Sequence, residues 1–337
     1  MKAIVIPEPG ALEIREKPLP KIQSPTEVLL KVHCGGLCGS DLHAYHGKSP
    51  FVQYPLVIGH ELSAEVVEAG GEVTRFKPDD HVVFDPVNSC GKCLPCLIGR
   101  GNVCENLKVN GAHVDGGFAQ YIVCEERKLH PISKDVPWDI AAMAEPFTIG
   151  AQAASRGGLR AGDRVLIVGA GPIGQVALQV CKAGGATVSM CDLSLARLEL
   201  ARENGADDAF QAGQMGLKEF LDSRGLMPFT LAIDAVGAPH ILPEILSVMS
   251  PAGRVVLLGF NADATPIRQL DITRRELDVV GSRLSIGQFP KVVDWIQRGI
   301  VHPEKIITHR LPFEHALDGL LLMQDHPDEC CKVILEF

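Results

Sequence analysis

The stretch from Arg164 to Asp192 limits the possible folds more than any other part of the chain. Arg164–Val168 reads as a buried strand and runs straight into Gly169-Ala170-Gly171-Pro172-Ile173-Gly174. An apolar helical segment, Ile173–Ala183, follows, then a second strand, Thr187–Cys191, ending at Asp192. Alone, G-x-G-x-x-G is a weak signal. Placed between a strand and a helix, with an acid closing the next strand, it reads as a dinucleotide turn. Gly169 allows the tight turn, Gly171 lets backbone amides approach a pyrophosphate, and Gly174 lets helix and strand pack closely. The helix start, at Pro172 and Ile173, presents its positive end to the phosphates. Asp192 can accept the ribose hydroxyls and would repel a 2′-phosphate, which favours NAD over NADP. Arg197 lies close by and can tolerate a phosphate. The plainer alternative, a structural turn in an α/β domain that binds something else, is disfavoured because strand, helix and acid are all in register.

Downstream, strand and helix keep alternating: a helix at Ser194–Asn204 and strands at Leu231–Ala235, Arg254–Gly259 and Leu277–Gly281. That order predicts right-handed crossovers and a doubly wound parallel sheet with helices on both faces, an α/β architecture. The first 150 or so residues differ. Short β-branched runs at Glu27–Val32, Leu62–Glu68, His81–Phe84 and Ala119–Cys124 are separated by Gly- and Pro-rich turns, predicting antiparallel strands with long functional loops. The pattern changes after Glu145-Pro146. The tail carries a helix near Phe289–Arg298 and a closing strand, Lys332–Glu336.

A length of 337 residues allows two domains, each with its own core. The net charge of −9 argues against nucleic-acid or anionic-membrane partners, whose binding needs clustered Lys and Arg. An acidic whole can still hold a local basic pocket, so the charge says nothing about a small-molecule substrate. Pro7 and Glu8 interrupt the apolar start before a signal-length run develops, and no window reaches a membrane span. A cytoplasmic location is expected, where clustered cysteines mean metal more often than disulfides.

Four of the eleven cysteines fall in one such cluster, Cys90-x2-Cys93-x2-Cys96-x7-Cys104. Gly91, Gly99 and Gly101 let the loop fold back, and four thiolates make a closed tetrahedral site, hence a structural metal. An iron–sulfur cluster is the rival, since cysteines at x2 spacing also occur in ferredoxin loops. A catalytic metal needs fewer protein ligands and an open position. Cys38, His60, Glu61 and Glu145 are candidates, but they are too scattered for spacing alone to assemble them.

Taken in order, Cys-Gly-Ser-Asp-x-His (38–43), Gly-His-Glu (59–61), the four-cysteine loop, Glu-Pro (145–146) and G-x-G-x-x-G resemble the medium-chain, zinc-containing alcohol and polyol dehydrogenases. The resemblance spans essentially the whole chain. Glu145, where classical alcohol dehydrogenases carry Cys, resembles the sorbitol and threonine dehydrogenase branch. Asp115-Gly-Gly-Phe118, Glu145-Pro-Phe-Thr148, Gly281-Ser-Arg-Leu284 and Cys330-Cys-Lys-Val333 are similar to bacterial sugar-acid 5-dehydrogenases. That subgroup includes the L-gulonate and L-galactonate 5-dehydrogenases and the starvation-sensing dehydrogenase.

The resemblance implies a GroES-like β domain (residues 1–145, rejoined by 286–337) and a Rossmann NAD-binding domain (146–285). It implies two zinc ions, the four cysteines holding the structural one. Cys38 and His60 would bind the catalytic zinc, with Glu61 and Glu145 supplying carboxylate character, one directly and the other through water or by exchange. Asp41 would orient His60. Ser40 would take the substrate hydroxyl proton and pass it, by way of the cofactor ribose, towards His43, and Lys332 would contact the pyrophosphate. The zinc lowers the pKa of the bound alcohol, and hydride then passes to nicotinamide C4. Fewer thiolates leave more charge on the metal, which suits a hydroxyl-rich substrate.

Residues outside these motifs read as structural. His33, His81, His113 and His130 are expected to be packed or solvated, and Cys34, Cys124, Cys181 and Cys191 to be small buried apolar residues. No vicinal disulfide is assumed for Cys330-Cys331. Arg283, after the last Rossmann strand, is expected to meet a substrate carboxylate bidentately. The resulting expectation is NAD-linked oxidation of L-gulonate or L-galactonate at C5 to a keto-uronate. A polyol or L-threonine dehydrogenase is the neighbouring reading, and a non-catalytic zinc and NAD redox sensor the reading from another class. The exposed edge of the last Rossmann strand predicts a homo-oligomer, a dimer or tetramer.

Overall fold

A computed structural model describes residues 1–337. The chain forms two compact units, Met1–Pro146 together with Ser285–Phe337, and Phe147–Leu284.

The first unit is built on a seven-stranded sheet. Its strands run in the order Leu129–Pro131, His81–Phe84, Glu61–Ala69, Glu27–Gly36, Lys332–Glu336 and Ile307–Pro312, and Tyr121–Glu125 also pairs with Glu27–Gly36. Along Glu27–Gly36 the apolar side chains Val28, Leu30 and Val32 turn into a core shared with Leu62, Ala64, Val66, Phe118, Val333 and Leu335. Each large aliphatic side chain buried there contributes about 1.5–3 kcal/mol relative to exposure. The sheet departs from an all-antiparallel plan at the tail, where Ile307–Pro312 and Lys332–Glu336 run parallel. Helix Ala316–Asp325 supplies the crossover that a parallel pair requires. Strand Ile307–Pro312 gave no sequence signal because it is half exposed and carries His309 and Arg310.

The second unit is a six-stranded, all-parallel sheet in the order Asp208–Gln211, Thr187–Asp192, Arg164–Val168, Phe229–Asp234, Met249–Leu257 and Asp278–Gly281. Numbered along the chain this is 3-2-1-4-5-6, the doubly wound dinucleotide-binding order. Val165, Leu166, Ile167 and Val168 are all buried because helices cover both faces. The expected strands fall within a few residues of the observed ones. Asp208–Gln211 went unforeseen, since a four-residue edge strand with polar ends carries almost no pattern. At the other edge, Asp278–Gly281 pairs on one side only. No helix is long and apolar enough to cross a membrane.

The four histidines read as structural pack on aromatic rings. His33 and His81 lie against Trp138, His113 against Phe51, and His130 against Phe289 at a centroid distance of 4.7 Å. Burial, with Arg75 adding to it, holds the His130 imidazole down at about 4. In the unfolded chain it takes its proton near pH 6.5. Its contribution is therefore complete above about pH 6.5, falls as the pH drops towards 4, and is constant below that. With its partial exposure allowed for, about 2 kcal/mol should disappear across that window. Urea unfolding at pH 7 and pH 4.5 should show this loss, and His130→Phe, which keeps the stack, should reduce it by about that amount. An unchanged pH slope in the variant would refute the assignment.

Candidate active site

Strand Glu27–Gly36 pairs Gly36 with Glu61, so the strand ends beside the start of Glu61–Ala69. Two residues beyond Gly36, Cys38 caps helix Gly39–Tyr45. Two glycines make this close approach possible. A Cβ at Gly36 would collide with the Glu61 carboxylate, and one at Gly59 with the Phe118 ring. Gly59 also has φ +94°, a conformation that favours glycine, and this aims His60 inward. As a result one ligand atom each from Cys38, His60 and Glu61 lies within 4.8 Å of the others. Residues far apart in sequence thus form one donor set.

Several ionisable groups are buried around that set. Glu61 and Lys332 are both almost fully buried, and the Lys332 ammonium donates to both Glu61 oxygens at 2.8 Å and to the Leu37 carbonyl at 3.0 Å. Burial alone would pull Lys332 down, but Glu61 and Cys38 outweigh it and hold the ammonium up at about 12. Glu145, buried in the first turn of helix Ala144–Arg156, is pushed by burial up to about 7 against the pull of His60. It is not one of the three clustered ligands. Asp41 is fully buried, its carboxyl is raised by burial, and its Oδ2 accepts the Cys38 backbone N–H at 2.9 Å. Its Oδ1 and the Nδ1 of His60 face each other at 3.9 Å, both buried without a hydrogen-bond partner.

One thiol and three carboxyls therefore surround a single imidazole and a single ammonium. Metal-ligating groups gathered in one space with few other partners are a donor set suited to a cation. Thiolate, imidazole and carboxylate together match zinc with an open position. A carboxylate facing the second nitrogen of the imidazole is what orients a metal-bound histidine. Glu61 keeps lone pairs beyond those used by Lys332. The residues fit a zinc ion.

The four cysteines converge separately. The Cys93 sulfur lies 3.4 Å from that of Cys96 and 3.7 Å from that of Cys104, and Cys104 also accepts the backbone N–H groups of Cys90 and Asn106. Gly91 and Gly99 turn the loop with positive φ. Backbone N–H groups of Lys92 and Cys93 pull the Cys90 thiol down to about 6, favouring the thiolate. No disulfide joins any of the eleven cysteines, the adjacent Cys330 and Cys331 included.

In the second unit, Gly169 has φ +97°, and a Cβ at Gly174 would collide with the Gly169 carbonyl oxygen. Gly171 caps helix Pro172–Ala183, with Pro172 and Ile173 opening it half exposed. Asp192 ends its strand with Oδ2 on the Ala170 N–H (2.6 Å) and Oδ1 on the Ser194 N–H (2.9 Å). The Arg197 guanidinium lies 3.9 Å from where a Gly171 Cβ would stand. Arg283 lies over the exposed Phe260 ring, 5.8 Å from its centroid. Ser40 and His43 are exposed on helix Gly39–Tyr45, three residues apart and so on one side of it. The Glu61–Lys332 pair and the role of Gly36 were missed from sequence. The one available signal was the Gly35-Gly36 end of an otherwise regular strand.

Residues 24–134 match the family model for the alcohol dehydrogenase GroES-like domain, and residues 172–298 that for zinc-binding dehydrogenases. The Starvation-sensing protein RspB of Escherichia coli (strain K12) is 42% identical over 100% of this chain and 99% of its own. The L-galactonate-5-dehydrogenase of the same strain is 33% identical over 93% of this chain and 92% of its own. The crystal structure of rspB from E. coli CFT073, described as a short chain alcohol dehydrogenase complexed with cofactor NADH, superposes with a TM-score of 0.96. It is 42% identical and matches 100% of this chain and 99% of that one. The chain belongs to the zinc-dependent alcohol dehydrogenase family and is an oxidoreductase of that family. Within the family its relatives include a sugar-acid 5-dehydrogenase, and its fold is a GroES-like domain with a Rossmann sheet.

Proposed function

We propose that this enzyme oxidises a secondary alcohol of a sugar acid, L-gulonate or L-galactonate at C5, with NAD as acceptor, giving a keto-uronate. The observation that carries this reading is the buried convergence of Cys38, His60 and Glu61. Zinc held by these residues supplies Lewis acidity, which lowers the pKa of a bound alcohol. Everything else falls to the chain. Ser40 takes the hydroxyl proton, and His43, exposed on the same helix, discharges it to solvent. The hydrogen on the carbon leaves with its bonding pair for nicotinamide C4, so the alcohol is oxidised to a ketone and NAD reduced to NADH. Asp41 orients His60, and Glu145 sets the local charge. Lys332, expected at the pyrophosphate, is instead buried on Glu61 and opposes the burial that raises the Glu61 carboxyl, so it serves the same site. Backbone N–H groups at Gly171–Gly174 hold the pyrophosphate and Asp192 the adenosine ribose.

An L-galactonate-5-dehydrogenase is among the relatives, beside sorbitol and L-threonine dehydrogenases of similar identity, and Arg283, a cation suited to a substrate carboxylate, is what favours the sugar acid among them. The one-sided edge at Asp278–Gly281 supports a homo-oligomer. NADH absorbance with L-gulonate, L-galactonate, sorbitol and L-threonine, each with NAD and then NADP, tests the whole reading. Saturable turnover of an aldonate with NAD is expected. Turnover of sorbitol or threonine alone would keep the chemistry and remove both the substrate and the role of Arg283. Inactivity across the panel with zinc and NAD bound would instead favour a redox sensor.

A further inference from the structure

Helix Pro172–Ala183 carries two glutamines that its apolar packing does not explain, Gln175 (fully buried) and Gln179 (6% exposed). The Gln175 amide nitrogen donates to the Ala170 carbonyl at 3.1 Å and to the Arg197 carbonyl at 3.0 Å. Its oxygen accepts from the Asn204 amide at 3.1 Å, and the Asn204 oxygen accepts from Gln179 at 2.9 Å. Asn204 caps the end of helix Leu195–Glu203, and Arg197 lies in its first turn. One side chain therefore grips that helix near both ends and the glycine turn as well.

The peptide units of the turn are held from two sides. Asp192 takes the Ala170 N–H while Gln175 takes the Ala170 C=O. Asp192 also holds the Ser194 N–H, and the Ser194 hydroxyl accepts the Arg197 N–H at 3.3 Å. The phosphate-facing turn, the ribose-facing carboxylate and the helix carrying Arg197 thus form one hydrogen-bonded frame with Gln175 at its centre. Leucine or methionine would fill the volume but could not supply the two N–H donors.

We propose that Gln175 is a positioning residue for the cofactor. Through the Gln179–Asn204–Gln175 chain of amides, it sets the spacing between the glycine turn and the carboxylate of Asp192, and hence the affinity for the ADP-ribose half of NAD. The proposal rests on the NAD reading above. A dinucleotide spans both contacts at once, so a shift of either element by a fraction of an ångström costs binding without touching the hydride-transfer chemistry.

Calorimetric titration of the zinc-loaded enzyme with ADP-ribose and NADH tests it, using Gln175→Leu, Asn204→Leu and the double variant. Gln175→Leu should raise both dissociation constants by ~10-fold or more. It should raise the KM for NAD while leaving kcat at saturating NAD within about twofold, a split that general destabilisation would not produce. Asn204→Leu touches neither the turn nor Asp192 and should cause a smaller loss. The double variant should be no worse than Gln175→Leu alone, because Asn204 acts through Gln175. If Gln175→Leu fails to fold, Asn204→Leu still decides: unchanged ADP-ribose affinity overturns the proposal. Losses that simply add in the double variant, or a fall in kcat with KM for NAD unchanged, overturn it too. Failure of the unaltered enzyme to bind either ligand would instead remove the cofactor reading and the proposal with it.

Discussion

Cys38→Ser should lower kcat/KM by on the order of 10³-fold or more, equivalent to about 4 kcal/mol of transition-state stabilisation. The substitution removes the only sulfur from the three-residue donor set of Cys38, His60 and Glu61. The affinity for NADH should stay within about threefold, because the glycine turn and Asp192 belong to the other unit. Zinc content by mass spectrometry should fall by one equivalent of two, and a chelator added to the unaltered enzyme should reproduce the loss until zinc is restored. Serine at position 38 with activity within about tenfold of the unaltered enzyme would remove these residues from the catalytic centre. Cys93→Ser provides the contrast. It breaks the closed four-sulfur loop and should cost stability and the other zinc equivalent before it costs chemistry.

Gly174→Ala is the second large effect. The added Cβ would meet the carbonyl oxygen of Gly169, which is backbone and cannot swing aside. Helix Pro172–Ala183 would then have to move off strand Arg164–Val168, at a cost of roughly 3 kcal/mol. NADH affinity should fall by ~10²-fold or more, since the helix start and the turn are the proposed phosphate site. By contrast, Gly171→Ala meets nothing but the Arg197 guanidinium at 3.9 Å in the ligand-free chain. It should fold with stability near that of the unaltered protein and lose affinity only through crowding of the bound pyrophosphate. Equal stability for the two variants would contradict this account.

The two glycines show how much of the nucleotide site could be read from the chain. Gly169, Gly171, Gly174 and Asp192 lie within 24 residues of one another, and local periodicity placed them correctly between strand and helix. Gln175 lies in the same stretch but has no such signature. A glutamine on a helix carries no signal until the helix it faces is known. The candidate donor set of Cys38, His60 and Glu61 was legible only through resemblance, since no local pattern ties position 38 to 60–61, and the pairing of Lys332 with Glu61 had no signal at all.

By itself, the sequence determined the elements and the local motifs. The parallel sheet followed from alternating runs and the nucleotide turn from its glycines, while the cysteine loop followed from spacing. These depend on interactions between residues close along the chain, which periodicity and spacing encode directly. Only the tertiary structure decided the rest. The pairing of Gly36 with Glu61 brought Cys38 to His60, and the insertion of Lys332–Glu336 next to Cys34–Gly36 placed the ammonium on Glu61. Which residues with an opposite charge or a matching donor come to share a buried space depends on strand order and register, and both are set by packing across the whole core.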